Sequence, residues 1–374
     1  MAEASGLKEV AFLDIVGGGQ VVVENNTAYI GHMEGPEATS IVDVSDKKNP
    51  KIIETINCKH TGVHSHKVRV GGGLMLTNYE SIAYTGEAEE GFRAGLNIYD
   101  LSDPKAPKPI HFWDTEGTGV HRFTFDGRYA YLSTTMEGYL NRIVVILDLS
   151  NPTKPEEVGR WHWPGQHTAA GEEPDIEPKR LMCHHPIRMG NMLYVSYWLA
   201  GWALVDITDM SAPKELSRMS TNPPFPCPTH TCLPIPFKLK DMDVMLVADE
   251  DVAKTHKGGP AFMWMVNVSD PIHPMIISTF QLDHISTGEN QPTRTGCHQP
   301  VEQVRSTEIP VAWFKNGLRV VDVSDPHAPK EVRHFVPPVP EGADQVMSND
   351  VYEDDDGFIY LIDRIRGLHI LERT

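Results

Sequence analysis

Short runs of aliphatic and β-branched residues recur along the chain, each running into a Ser/Thr-Asp turn followed by proline. The first is Ile41-Val42-Asp43-Val44-Ser45-Asp46 with Pro50, and the next are Ile98-Tyr99-Asp100-Leu101-Ser102-Asp103 with Pro107 and Ile146-Leu147-Asp148-Leu149-Ser150-Asn151 with Pro155. Further copies end at Asp209, Asp270 and Asp325, and Met210 and the two asparagines Asn151 and Asn267 are small departures. Taking Asp46, Asp103, Asn151, Asp209, Asp270 and Asp325 as equivalent points, the intervals are 57, 48, 58, 61 and 55 residues. The turn has a local cause: Asp and Ser side chains bond backbone N–H groups just ahead of them, and Pro fixes φ while withholding a ladder donor. Two strands precede each copy, as in Arg122-Phe123-Thr124-Phe125 and Tyr129-Ala130-Tyr131-Leu132-Ser133 around an Asp126-Gly127 hairpin signal, and one follows it. Four strands every 40 to 60 or so residues predict an all-β propeller, one blade per repeat.

The last segment, Gly357 to Asp363 and Gly367 to Leu371, follows the middle strands of a blade and stops where the next turn is due. The N-terminal Leu7-Lys8-Glu9-Val10-Ala11-Phe12 matches Lys330-Glu331-Val332 with Phe335. A strand over about residues 7–13 is therefore expected to complete the blade formed by about 346–374, closing a seven-bladed ring without a bare sheet edge. On that reading residues 1–374 are one domain.

The repeat resembles the LVIVD-repeat family of β-propellers, over nearly the whole chain. The resemblance implies the fold and no single reaction.

Composition narrows the function. With 29 Pro and 30 Gly spread along the chain, no helical period is sustained. A formal charge of −18 disfavours nucleic acid and anionic membrane surfaces, and no apolar stretch is long enough to span a bilayer. Five Cys are not a disulfide framework. A soluble cytoplasmic protein is expected. The run Glu353-Asp354-Asp355-Asp356 reads as a solvated turn.

Candidate chemistry lies where the innermost strands begin, because these starts converge at one mouth of a propeller channel. There the chain repeats histidine: His64 and His66, His121, His184 and His185, His230, and His298. Neutral imidazole is the commonest protein metal ligand, and imidazoles gathered without a metal repel once protonated. The metal set expected is His66, His121, His184, His230 and His298, holding iron, zinc, manganese or copper. In the pair His184 and His185, alignment with Cys297-His298 favours the first and strand alternation the second. Cys183, Cys227, Cys232 and Cys297 lie nearby, without zinc-finger spacing. His64, His185, Arg122 and Arg364 are candidates for binding a small, anionic organic substrate, and Glu80, Glu250 and Asp363 for acid or base catalysis. Long insertions at Trp163–Arg180, Asn222–Pro226 and Asp283–Arg294 would cap the substrate or join copies of the chain in a homo-oligomer. The expected function is a metal-dependent lyase, hydrolase or oxygenase. The alternative is a non-catalytic propeller scaffold for protein–protein interaction.

Overall fold

The computed structural model describes residues 2–59, 62–83, 91–178, 181–252, 260–283 and 294–374. Most of the third insertion, 284–293, falls outside the described residues, as do 179 and 180 of the first. Among the described residues the chain is all-β apart from one 3-10 turn, Thr168–Ala170, and no helix is long and apolar enough to cross a membrane.

The chain divides into two compact units. One unit holds residues 24–43 and 52–220. Its sheets are antiparallel meanders. Val63–His64 and Val68–Gly71 share the partner Leu74–Ser81, followed by Ala94–Asp100 and Lys108–Thr115. Next come Val120–Phe125, Tyr129–Thr135, Arg142–Asp148 and Glu156–Trp161. Leu181–Met189, Met192–Trp198, Trp202–Asp206 and Lys214–Met219 form another, and Thr27–His32 pairs Glu37–Asp43. The middle strands are buried on both faces and read as unbroken apolar runs. Facing sheets pack through Val144, Ile146, Leu193, Val195 and Tyr197, and through Leu96, Ile98, Phe123, Leu132 and Val145.

The other unit holds residues 1–23, 44–51 and 221–374. It contains the meander Thr229–Pro234, Val244–Asp249, Met263–Asn267 and Met275–Phe280, and a second from Gln299–Pro300 through Glu308–Ala312 and Leu318–Asp322 to Lys330–Val336. In a third sheet Ser348–Glu353, Ile359–Asp363 and Arg366–Arg373 are joined by Leu7–Val16. That N-terminal strand lies antiparallel to Arg366–Arg373, with Leu7 opposite Arg373 and Val16 opposite Arg366.

The repeat turns share one bonding pattern. The Oδ1 of Asp46, Asp103, Asn151, Asp209, Asp270 and Asp325 accepts the backbone N–H two residues on, at 3.0 to 3.2 Å. Asn151 keeps the bond because an amide oxygen accepts as a carboxylate does.

The acidic run at 353–356 is a solvated turn in its second half only. Glu353 pairs with Arg373 at 2.6 Å, and buried Asp354 accepts from Phe358 N and Tyr360 Oη and meets Lys47 at 3.2 Å. Asp355 and Asp356 are exposed, Asp355 at 92% of its side chain.

Candidate metal-binding histidine clusters

The histidines stand where the inner strands break register. Val120 faces Thr134 and Arg122 faces Ser133, so His121 is an extra residue in its strand. Likewise Leu181 faces Trp198 and His185 faces Ser196, leaving two residues more on the histidine strand. In the other unit His230 is the extra residue between Thr229 and Thr231, and Asn349 the extra one between Ser348 and Asp350. A bulge re-aims a side chain that strict alternation would send elsewhere.

In the unit of residues 52–220, His64, His66 and His121 each offer a ligand atom, all within 4.8 Å of one another. The His64 and His66 rings stack at 3.7 Å, and His121 lies 5.0 Å from His66 and 4.8 Å from His184. His64 Nδ1 bonds the Met33 carbonyl. A carbonyl only accepts, so Nδ1 carries a proton, and a neutral ring offers its lone pair at Nε2. His121 Nδ1 and Glu80 Oε2 share a proton at 2.7 Å, and Arg142 holds the other Glu80 oxygen at 3.0 Å. Burial pushes the Glu80 carboxyl up to about 8 against the pull of Arg142. Burial, followed by neighbouring histidines and cations, holds His66 and His121 well below the usual imidazole range, so both are neutral and fit to ligate.

Asn78 braces this cluster. Its Nδ2 donates to the carbonyls of His64 and Val120, both at 2.9 Å, and its Oδ1 accepts Lys67 N at 2.8 Å. His185 is fully buried beside Arg122 and Arg69, and burial and those charges keep its ring neutral. Arg122 is buried as well. It is thus His184, not His185, that stands beside His121.

In the unit containing residues 221–374, His298 Nδ1 donates to the Asn349 carbonyl. His230 Nδ1 lies 2.9 Å from Thr231 Oγ1, whose own proton goes to Gln299 Oε1. A neutral ring then offers its lone pair at Nε2, and the two Nε2 atoms lie 3.8 and 3.7 Å from the Glu250 oxygens. The two rings and the carboxylate converge there, close to the Arg294 and Arg364 guanidinium groups. Arg294 meets Glu250 at 3.1 Å, and Arg364 gives Nε–H to Asn349 Oδ1 at 2.7 Å while its guanidinium lies over the Phe314 ring. Phe314 stacks on His298 at 4.4 Å.

Asp363 accepts the N–H groups of Met347, Ile365 and Arg366 and so closes a turn. Glu80 has both oxygens engaged and acts on the cluster through His121. Burial pushes the Cys183 thiol up to about 12 and raises Cys227 and Cys297 also, so these sulfurs stay protonated and pack as apolar groups. Asn78 and Arg142 escape a reading of motifs. Their one sequence signal is a polar residue inside an apolar strand, as in Leu74-Met75-Leu76-Thr77-Asn78.

The fold defines the class. Similar solved structures include Saccharomyces cerevisiae Sqt1, at 10% identity and TM-score 0.58 over 94% of this chain and 82% of that one. U3-55K is similar at 7% identity and TM-score 0.64, over 97% and 98% of the two chains. The C-terminal WD40 domain of Sif2 is similar at 9% identity and TM-score 0.57, over 98% of each. At such identity the likeness carries the fold alone, an all-β chain of the WD40-like propeller type. The chain carries LVIVD repeats: the family model of that description matches residues 125–162, 189–221 and 310–336. No curated protein sequence matches it. These likenesses support a propeller fold and carry neither a metal nor a reaction.

Proposed function

We propose that the chain is a propeller scaffold whose histidines hold a divalent transition metal, iron, zinc, manganese or copper, for chemistry on a small organic molecule. The observation that carries this reading is the set of His64, His66 and His121 ligand atoms within 4.8 Å, with the His66 and His121 rings held neutral. The Nε2 atoms of His230 and His298 facing Glu250 support it further. A metal there would polarise a carbonyl or activate water or oxygen as lyase, hydrolase or oxygenase, with Arg364 the candidate cation for a substrate anion. The seven-bladed count, closure by the N-terminal strand and a single domain over 1–374 belong to the same proposal. They rest on the six repeats, the truncated seventh and the pairing of Leu7–Val16 with Arg366–Arg373.

The WD40-type fold favours a second reading, a non-catalytic scaffold that binds other proteins. Exposed Ile52, Ile53, Met275 and Val332 on the last strands of their meanders give such a partner apolar contacts. Elemental analysis of the untagged protein separates the two. The metalloenzyme reading expects at least one metal ion per chain, reduced in the His66→Phe, His121→Phe double variant while the β-sheet circular dichroism persists. No metal in either protein, with reconstitution also failing, leaves the second reading.

A further inference from the structure

The first insertion carries chemistry of its own. Beyond Glu156–Trp161 the chain turns out through His162 and is anchored by buried Trp163 and Gln166. Gln166 Nε2 donates to the carbonyls of Leu140 and Arg142 at 2.6 and 3.1 Å, and its Oε1 accepts Trp163 N at 3.0 Å. Glu172 then folds the loop back on itself. Its Oε2 accepts Gly165 N at 2.9 Å and His167 N at 3.1 Å, and its Oε1 meets His162 Nε2 at 3.2 Å. Tyr139 stacks on the His167 ring at 4.4 Å and 9°, and meets His162 edge-on at 5.1 Å. His162, His167 and Glu172 thus each present a ligand atom within 4.8 Å of the others, all half-buried.

We propose that His162, His167 and Glu172 form a second, separate metal site of zinc type, with its fourth position open to water or to a partner's side chain. Closing the loop requires only the Glu172 carboxylate and two backbone N–H groups. It does not require two imidazoles on the same side of that carboxylate. Ligand atoms around a tetrahedral zinc ion stand about 3.3 Å apart. The His162 and Glu172 pair is already at that spacing, and His167 reaches it by a small ring movement along the Tyr139 face. Glu172 Oε1 faces the His162 ring while its Oε2 is held by the Gly165 and His167 N–H groups. The incoming ion takes the place of the contact between His162 Nε2 and Glu172 Oε1, and the His162 ring ligates as the tautomer protonated at Nδ1. The bound ion would tie the loop to the end of the Glu156–Trp161 strand.

Titration of the chelator-stripped full chain with Co²⁺, followed by visible absorption, tests this. The probe variants are His162→Phe with His167→Phe, which keeps rings against Tyr139, and Glu172→Gln alone. The comparison variant is His66→Phe with His121→Phe. The loop double variant is expected to lose one Co²⁺ equivalent that the comparison variant keeps, and Glu172→Gln to weaken that equivalent at least tenfold. Co²⁺ stoichiometry and affinity unchanged in the loop double variant would overturn the proposal. The His167→Phe single variant repeats the test should the double variant fold poorly.

Discussion

His121 and Glu80 meet at 2.7 Å through Nδ1 and Oε2, and the ring they orient is the residue inserted between Val120 and Arg122. A hydrogen-bonded partner on the far nitrogen fixes ring orientation, and its loss costs metal affinity about 10–100-fold. Glu80→Gln is therefore expected to weaken metal binding by that factor in a calorimetric titration. It also strands buried Arg142, at a cost of about 3 kcal/mol. Unchanged affinity with lowered stability would show that Glu80 serves Arg142 alone.

Gly31 supports His66 from the neighbouring sheet. A Cβ at Gly31 would fall 2.6 Å from His66 C, 2.8 Å from its O and 2.9 Å from Lys67 N, all backbone atoms that cannot swing aside. Gly31→Ala is expected to destabilise the protein by about 1–3 kcal/mol in urea denaturation and to weaken metal binding by displacing His66. Wild-type stability in this variant would contradict the close approach.

Asp249 gives the fold a pH dependence. Burial raises its carboxyl to about 8, against the hydrogen bonds from Trp264 and Thr229. The folded chain thus holds a proton that the unfolded chain releases near pH 4 or so. Between those values the native state binds more protons, so stability falls as pH rises from about 4 towards 8, by at most about 1.4 kcal/mol per pH unit. Asp249→Asn is expected to flatten the slope between pH 5 and 8 in urea melts. An unaltered slope would place the titration elsewhere.

The strand Leu7–Val16 covers the outer edge of Arg366–Arg373, helped by the ion pairs Lys8 with Glu372 and Arg366 with Asp14. Removing residues 1–16 bares that edge, an open template for another chain. The truncated protein is expected to associate with rising concentration in light scattering. A monomer of unchanged melting temperature would contradict this.

The repeats and their turns were legible because their cause is local: Asp103 bonds the N–H of Lys105 whatever lies beyond. The pairing of residues near 7 with the C-terminal segment was legible from the likeness between Leu7-Lys8-Glu9-Val10 and Lys330-Glu331-Val332. The histidine strands could be located from the sequence but not their inward faces. Alternation assumes a constant period of two, and the bulges at His121, His230 and before His185 break it. Asn78 and Arg142 were hidden for another reason. Each owes its role to partners far along the chain, Val120 for the amide and Glu80 for the guanidinium.

X-ray absorption at the edge of the bound metal, in a His162→Phe, His167→Phe background, tests whether the inner-strand histidines hold that metal. Imidazole scattering from several nitrogens at about 2.0–2.1 Å is expected, lost when His66 and His121 are also replaced by Phe. A metal surrounded by oxygen alone, or no metal retained after reconstitution, would contradict it.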